Sequence, residues 1–408
     1  MDGKIQLAAA NSSACGEASH HQRILEMFPF PVAGQIILAI IALIIWRFHR
    51  CKWFIDIHED VQKDVTSAQH QTVEIDELEN FHLDSSEPPK FRPFKPKYHL
   101  TMGLETLGCS DFLIFDKTYP ERLKIRRSLV QQHPEDVIGI ISDSDARIRL
   151  AVEELYSHLF KIYLPARYPS IFKTTRDKTD HINSVENLIT GSIIPADAES
   201  ISLHVALKII SENIDEDFFI LLPHKTDEDT PGDVVYVLEA YSACFPSGFQ
   251  PRDKIGKRLA DIHRPVPKYK EKLQKSMDRF FARLEAGRLV KRVNWAITVD
   301  EELYSNFDKS GPAFEGTLKK MTMKDLDLNK TFLRSERQTL HRLPASDAIV
   351  FAFHTYLYPI QDIKAEGSGE DLALAIDGLQ SGSVPEIFTY KNGEKRGRCC
   401  ETVSEKLD

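Results

Sequence analysis

The sequence predicts an α+β protein, in which helices and strands occupy separate stretches of the chain. Segments rich in β-branched and aromatic residues, such as "DVVYVLEAY" and "LVKRVNWAITVD", are concentrated in the second half. Apolar residues at helical spacing come before and between these segments. Because the two patterns do not alternate regularly, a parallel β-α-β architecture is not expected. With 408 residues, the chain is long enough to bury a substantial core.

Several helices are predicted from this spacing. A turn enters a helix within 110–130, where Pro120 suits a first helical position. The next helix begins near 144 and is expected to end at Pro165, with an inward face of Ile148, Val152, Leu155, Leu159 and Ile162. Others are predicted after 201, at 364–383, and within 269–285, the last with an inward face of Leu273, Met277, Phe280, Phe281 and Leu284.

The predicted strands follow the first helices. One short apolar strand is expected from Phe218 to Leu222, and another segment of strand character covers 233–247. A third strand is predicted over 289–300, and two more within 336–360, joined at "LPASDA".

Residues 28–46, "FPFPVAGQIILAIIALIIW", predict a single transmembrane helix. The stretch carries no charge, and at ~1.5 Å per residue it reaches roughly 28 Å, about one hydrocarbon thickness. Trp46 and Trp53 suit the membrane interface, and the basic residues from Arg47 onward favour a cytosolic main domain. A cleaved signal peptide is the alternative, but no small-residue cleavage site follows the apolar stretch.

Charge and motif content exclude several classes of function. A formal net charge of -9 argues against a nucleic-acid binder. The six cysteines show neither a C-x-x-C pair nor a disulfide framework, which suits a reducing compartment. The Gly-rich fingerprints of dinucleotide and P-loop folds are missing, as are H-E-x-x-H and G-x-S-x-G.

These observations predict five regions along the chain. Residues 1–27 form a disordered N-terminus, 28–46 the transmembrane helix, and 47–97 an acidic, proline-rich stalk. The main domain covers 98–362, and 363–408 form a C-terminal helix and charged tail. Within the main domain, 305–330 reads as a polar, lysine-rich insertion or mobile loop.

Five short segments between 240 and 358 combine aromatic residues with polar groups, as a cofactor pocket requires: "AYSACFPSGF", "KIGKRLADIHRPVPKY", "RVNWAIT", "RSERQTLHRLP" and "FHTYLYP". Each also has a plain structural explanation. His263 suits a helix C-terminus, where its ring satisfies a backbone carbonyl. Arg334, Glu336 and Arg337 suit a solvated ion cluster, and Trp295 suits a core.

The order and content of these segments resemble the haem-dependent oxidative N-demethylase α-subunit-like family. The resemblance rests on "YHLTMGL", "LPARYPSIF", "CFPSGF", "IGKRLADIHRPVPKY", "RVNWAIT" and "RSERQTLHRLP", and it covers roughly 95–360. The combination of H-x-P-V-P with R-x-E-R-Q-T-L is specific, whereas any single piece is not. Phe249 in "CFPSGF" and the polar insertion depart from the family pattern, so the pocket shape and the substrate are expected to differ.

The resemblance implies a PAS-like core with surrounding helices that binds haem b. It further implies a monooxygenase that uses O2 to hydroxylate a C–H bond beside nitrogen in a small amine, after which the product loses formaldehyde. No flavin, NADPH or [2Fe-2S] fingerprint is present, so the electrons are expected from a separate flavin or iron-sulfur reductase. The alternatives are a haem-binding sensor or carrier without turnover, and an adaptor that keeps the fold without haem.

The resemblance also assigns roles to individual residues. His263 becomes the expected iron ligand, because Pro265 and Pro267 restrict the backbone around it. The rival ligands are His354, which ranks next, His99 and His204.

The remaining site residues are expected to surround that ligand. Arg337 is the predicted partner of a haem propionate or a proton relay, and Arg252 is a further basic candidate. Glu336 is predicted to neutralise a protonated amine or to relay protons, and Asn294 and Trp295 to line the cavity.

Overall fold

The computed structural model describes residues 74–226, 233–299, 301–304, 327–388 and 390–391, and within them it shows a large antiparallel sheet with helices on both faces. The seven strands of this sheet are β1 (Glu105–Leu107), β2 (Ile138–Ile140), β6 (Asp217–Thr226), β7 (Asp233–Ser242), β8 (Leu289–Thr298), β9 (Phe332–Arg342) and β10 (Ile349–Pro359). Their spatial order is β1-β8-β9-β10-β6-β7-β2. A smaller sheet joins β3 (Phe172–Arg176), β4 (Ile182–Asn187) and β5 (Ser192–Pro195). The α+β prediction is confirmed.

The helices of the described residues fall into two groups along the chain. The first group is α1 (Tyr119–Gln132), α2 (Pro134–Val137), α3 (Ala146–Ser157), α4 (Leu164–Arg167) and α5 (Leu203–Asn213). The second group is α6 (Leu259–Ile262), α7 (Tyr269–Lys272), α8 (Gln274–Arg283), α9 (Ile360–Ala365) and α10 (Gly369–Gln380). Short 3-10 turns lie at Leu83–Ser85, Cys109–Asp111, Pro251–Asp253 and Leu328–Lys330.

The two helix groups cover opposite faces of the large sheet. Strand β6 shows this directly, since Phe218, Ile220 and Leu222 pack into one core with α1, α3 and α5. Phe219 and Leu221 point the other way, into a second core with α8 and α10. A strand buried on both faces reads as a continuous apolar run, which is why "FFILL" was recognisable in the sequence.

The helix predictions need two corrections. Pro165 does not end the helix, because a π-helical turn at His158–Tyr163 leads into α4 and leaves Pro165 in a first turn, where its missing N–H costs nothing. That wider turn also rotates the following side chains, so Ile162 is 52% exposed instead of inward-facing. In the second group, Leu273 separates α7 from α8, although Leu273, Met277, Phe281 and Leu284 are buried as expected.

Two glycines let the segment before the main domain lie directly on α10. A Cβ atom on Gly378 would sit 2.6 Å from the Pro96 carbonyl oxygen, and one on Gly382 would sit 2.2 Å from that of Tyr98. The backbone of Tyr98 is hydrogen-bonded to Gly378 and Ser383 at 3.1 and 2.9 Å. The described part of the predicted stalk therefore contacts the body, and the boundary at 98 stays a prediction.

No helix among the described residues has the length and hydrophobicity needed to cross a membrane. The predicted span 28–46, the N-terminal segment 1–27, most of the predicted insertion and the tail beyond 391 lie outside those residues.

Candidate functional site

A row of polar side chains crosses one face of β8 and β9 near the middle of the sheet. In the antiparallel register, Arg292 pairs with Gln338 and Asn294 pairs with Glu336. Residues two apart on a strand point to the same face, so these four side chains form one group, which we call the polar face.

Glu336 is the most unusual member of the polar face. It is 7% exposed, and its Oε2 atom accepts a hydrogen bond of 3.1 Å from the Gln338 amide. Its Oε1 atom is buried without a hydrogen-bond partner among the described residues. Burial raises the pKa of this carboxyl, against the opposing pull of Arg334 and of neighbouring hydrogen bonds. Glu336 thus holds a proton more readily than an exposed glutamate does.

Arg292 brings a partly buried positive charge to the same face. Its Nε atom is buried and has no hydrogen-bond partner in the described part of the chain. Burial lowers the pKa of the guanidinium, while Tyr98 and Glu336 favour its charged form. A guanidinium with a buried, unused donor is suited to bind a carboxylate.

His263 lies at the end of α6, where its ring is fixed from two sides. The Leu259 carbonyl oxygen is 2.9 Å from Nδ1, and since a carbonyl can only accept, the proton must be on Nδ1. The ring stacks on Tyr269 at 5.1 Å with an interplanar angle of 14°. Burial lowers the pKa of the imidazole, and the charge of Arg292 lowers it further. The neutral ring therefore carries its lone pair on Nε2, the arrangement that metal-binding histidines use.

The C-terminal segment closes this region through Lys391. Its Nζ atom donates to the Asn294 side-chain oxygen at 3.0 Å and to the Trp295 carbonyl at 2.8 Å. The Trp295 indole is 7% exposed and packs edge-on against Phe94, with ring centroids 6.3 Å apart. Asn294 and Trp295 thus both contact the C-terminal segment, although consecutive strand residues point to opposite faces.

Because consecutive residues of a strand point to opposite faces, Arg337 and its neighbour Glu336 lie on different faces of the sheet. Arg337 is 2% exposed and donates to the carbonyls of Phe112, at 2.9 Å, and Asp111. Its role is to hold the turn before α1 against the back of the sheet. Arg252 also lies away from the polar face, since it forms an exposed ion pair with Asp136 at 3.0 Å. Of the six predicted site residues, Asn294 and Glu336 share the polar face, Trp295 follows Asn294 on β8, and His263 is close enough to the polar face to be affected by the charge of Arg292.

The rival histidines are placed less favourably for an iron ligand. His354 is 4% exposed on the opposite face, with its Nε2 atom 3.5 Å from Asp215 and its Nδ1 atom 3.3 Å from Glu216. Both ring nitrogens lie beside carboxylates, although neither forms a hydrogen bond with a described residue. His99 and His204 are exposed.

Sequence reasoning missed three residues of this region: Arg292, Tyr98 and Lys391. Arg292 had a usable signal, because it stands two residues before Asn294 in the quoted segment "RVNWAIT" and so shares its face. Tyr98 and Lys391 come from distant parts of the chain, and no local pattern places them beside β8.

The arrangement defines a class of protein: an α+β domain with a fixed neutral imidazole, a buried carboxyl and a partly buried guanidinium. The chemistry of these residues fits haem, because the Nε2 lone pair of His263 would suit iron and the unused Arg292 Nε donor would suit a propionate. Within the described residues, no group of three or more His, Cys, Asp or Glu side chains could hold a metal ion by itself.

Comparison with known proteins gives the family. The model for the haem-dependent oxidative N-demethylase, alpha subunit-like, matches residues 103–400, well over half of the chain. The chain therefore belongs to this family, and the predicted resemblance is confirmed. The match extends about forty residues beyond the resemblance found by motif and includes Lys391. A search of curated proteins finds no match.

Proposed function

We propose that this protein is a haem-dependent monooxygenase that removes a methyl group from a small amine, with electrons from a separate reductase. The observation that carries the proposal is His263, whose Nδ1 atom is held by a backbone carbonyl so that Nε2 is left for iron. Membership of a haem-dependent family supports the same conclusion.

In this proposal, the residues of the polar face have different roles. When bound, haem b supplies the activation of O2 that inserts one oxygen atom into a C–H bond beside nitrogen; the second atom leaves as water after taking up two electrons and two protons. Arg292 would hold a propionate through its unused Nε donor. Glu336 holds the proton of the amine, and Asn294 orients it.

Arg337 and Arg252 enter this proposal only in supporting roles. The carbonyls of Phe112 and Asp111 occupy the Arg337 guanidinium, so we assign it to the positioning of β9. Arg252 stabilises the turn beside α2 through Asp136.

The proposal is tested by the absorption spectrum of the full chain, purified in detergent from haem-supplied cells. We expect a Soret band at one haem per chain, which is lost or shifted in His263→Ala. Because His204 is exposed on α5, His204→Ala is the matched control and should keep the wild-type spectrum. A folded wild-type protein without haem would contradict the proposal, and an unchanged His263→Ala spectrum would move the ligand elsewhere.

Turnover separates the monooxygenase from a haem sensor or carrier. Under a chemical or reductase electron supply, the monooxygenase consumes O2 and releases formaldehyde in proportion to an added methylamine. A stable oxygen complex that leaves every amine unchanged would assign the protein to the sensor or carrier class instead.

A further inference from the structure

The ammonium group of Lys391 lies in a pocket at the edge of β8. Its Nζ atom is 4.9 Å from the centroid of the Trp295 ring and 5.7 Å from that of the Tyr98 ring. It also has the two oxygen acceptors described above, on the Asn294 side chain and the Trp295 backbone. Two aromatic rings and two acceptors around one cation form the kind of site that recognises ammonium ligands.

The walls of this pocket are fixed by groups other than Lys391. The Trp295 ring is held in the second core, and the Tyr98 backbone is held by Gly378 and Ser383. Asn294 is held by its register with Glu336 on β9. The pocket should therefore keep its shape when the lysine leaves.

A carboxyl group lies close enough to the pocket to be affected by Lys391. The positive charge of Lys391 acts on the Glu336 carboxyl, which is buried and has an unpartnered Oε1 atom among the described residues. A lysine that only anchored the C-terminal segment would not need two aromatic rings, two acceptors and a nearby carboxyl. Lys272 shows the contrast, because it ties the same segment through one hydrogen bond of 3.2 Å to the Ser383 carbonyl on the surface.

We infer that this pocket is the ammonium subsite for the amine substrate, and that Lys391 is a tethered ligand that competes for it. The inference rests on the proposed function, and it adds the place where the amine binds and a residue that limits access. An alkylammonium ion would give N–H groups to Asn294 and the Trp295 carbonyl and would place its methyl groups against the rings. The amine must displace Lys391, so the segment that carries it controls apparent affinity.

The first test uses the wild-type full chain and follows the acetylation rate of individual lysines by mass spectrometry. Trimethylammonium is the probe, because it forms no stable acetylated product, and sodium chloride at equal ionic strength is the control. We expect Lys391 to be acetylated several-fold faster with the probe, and Lys272 at an unchanged rate. Equal rates for Lys391 in both salts would overturn the inference.

The second test measures the binding of dimethylammonium by calorimetry. Lys391→Met keeps the apolar stem and removes the charge, so its Kd should fall at least tenfold below the wild-type Kd. Lys272→Met should leave the Kd unchanged, and adding Trp295→Leu to Lys391→Met should abolish the gain. A gain that survives Trp295→Leu, or no gain in Lys391→Met, would contradict the subsite.

Neither readout depends on haem or on turnover. If ammonium binding follows these expectations while the Soret band is missing, the proposed oxygenase function fails and the subsite stands. If the Soret band and formaldehyde release are present while Lys391 does not respond, the oxygenase function stands and the subsite fails.

Discussion

Glu336 differs from a surface carboxylate because it gains few compensating contacts for the water it loses. One oxygen accepts from Gln338, and the other has no partner among the described residues. The charged form is therefore disfavoured, and the pKa is raised by burial. A carboxyl of this kind changes protonation closer to neutral pH than an exposed glutamate, which suits a group that handles the proton of an amine.

Replacing Glu336 by Gln tests this assignment. The amide keeps the shape but cannot hold the proton, so we expect formaldehyde release to fall by roughly 10²-fold or more. In the wild type, turnover that needs the ionised carboxyl should rise with pH through the raised pKa, and this rise should disappear in Glu336→Gln. The measurement is the pH profile of kcat/KM, with the Soret spectrum as the check on haem binding. A variant with the wild-type profile would remove Glu336 from the reaction.

The sequence predicted this residue cluster only in part, for a physical reason. His263, Asn294 and Glu336 were recognisable because their motifs are local, and strand alternation could have added Arg292. Alternation also explains why Arg337 lies apart from its neighbour Glu336. Contacts made by Tyr98 and Lys391 depend on how distant segments fold together, which no spacing rule encodes.

At the scale of elements, Asp217 connects α1, β6 and the end of β7. Its carboxylate pairs with Arg126 at 2.7 Å and accepts from the backbone N–H groups of Cys244, at 2.8 Å, and Phe245, at 2.7 Å. Asp217 is 1% exposed, and Arg126 is fully buried. The pair thereby fixes where "CFPSGF" begins after β7.

Replacing Asp217 by Asn should therefore destabilise the fold strongly. The change leaves the Arg126 charge buried without its partner, which costs about 3–5 kcal/mol in the free energy of unfolding. Denaturant unfolding of the purified protein measures the loss. Asp180→Asn is the matched control, because Asp180 is exposed and its positive φ suits asparagine. A loss for Asp217→Asn no greater than that of the control would contradict the role given to the pair.

The π-helical turn at His158–Tyr163 places the partly buried ring of His158 6.3 Å from the buried ring of His341 on β9. His341 is 5% exposed, and neither of its ring nitrogens has a hydrogen-bond partner among the described residues. Burial lowers the pKa of His341 to about 3 and that of His158 to about 4. Both rings are neutral in the folded protein at neutral pH.

The lowered pKa values of these two histidines predict that the folded protein loses stability in acid. Below about pH 6.5, the His341 side chain takes up a proton in the unfolded chain but not in the folded protein. The contribution of His341 to the free energy of unfolding is therefore fully present above that pH. As the pH falls toward the folded pKa, this contribution is lost by about 1.4 kcal/mol per pH unit. We expect His341→Leu to flatten the dependence of unfolding free energy on pH between 6 and 4. The exposed His204, replaced by Leu, should leave the slope unchanged. Equal slopes for wild type and His341→Leu would show that another group controls the acid limb.

The prediction of individual strands and helices succeeded where a single sequence rule, such as strand composition, determined the element. The strands β6 to β10 were found from their composition, because buried strands need β-branched and aromatic residues on the faces they present. The helix that contains Ile162 was misjudged, because the π-turn breaks the 3.6-residue period on which the inference depended. Such a turn has no reliable sequence signal, so its effect on the facing residues was visible only in the structure.

At the scale of the whole molecule, the family match begins at residue 103 and does not reach the predicted anchor at 28–46. The apolar stretch 28–46, followed by basic residues from Arg47, predicts a membrane-tethered body on the cytosolic side. A tether of this kind would bring the haem domain close to a membrane-bound reductase and raise their effective concentration.

Two acceptor sequons make this orientation testable, at Asn11 before the predicted span and at Asn329 after it. Asn329 is exposed in the turn at Leu328–Lys330, and a lumenal body would offer it for glycosylation. We therefore expect the full chain to sediment with membranes, resist alkaline extraction and carry no glycan at Asn329, so that Asn329→Gln migrates like wild type before and after endoglycosidase. A glycan at Asn329 would reverse the orientation and separate the domain from cytosolic electron donors. Release of the full chain by alkali would instead remove the anchor, and the reductase would then have to find the haem domain by diffusion.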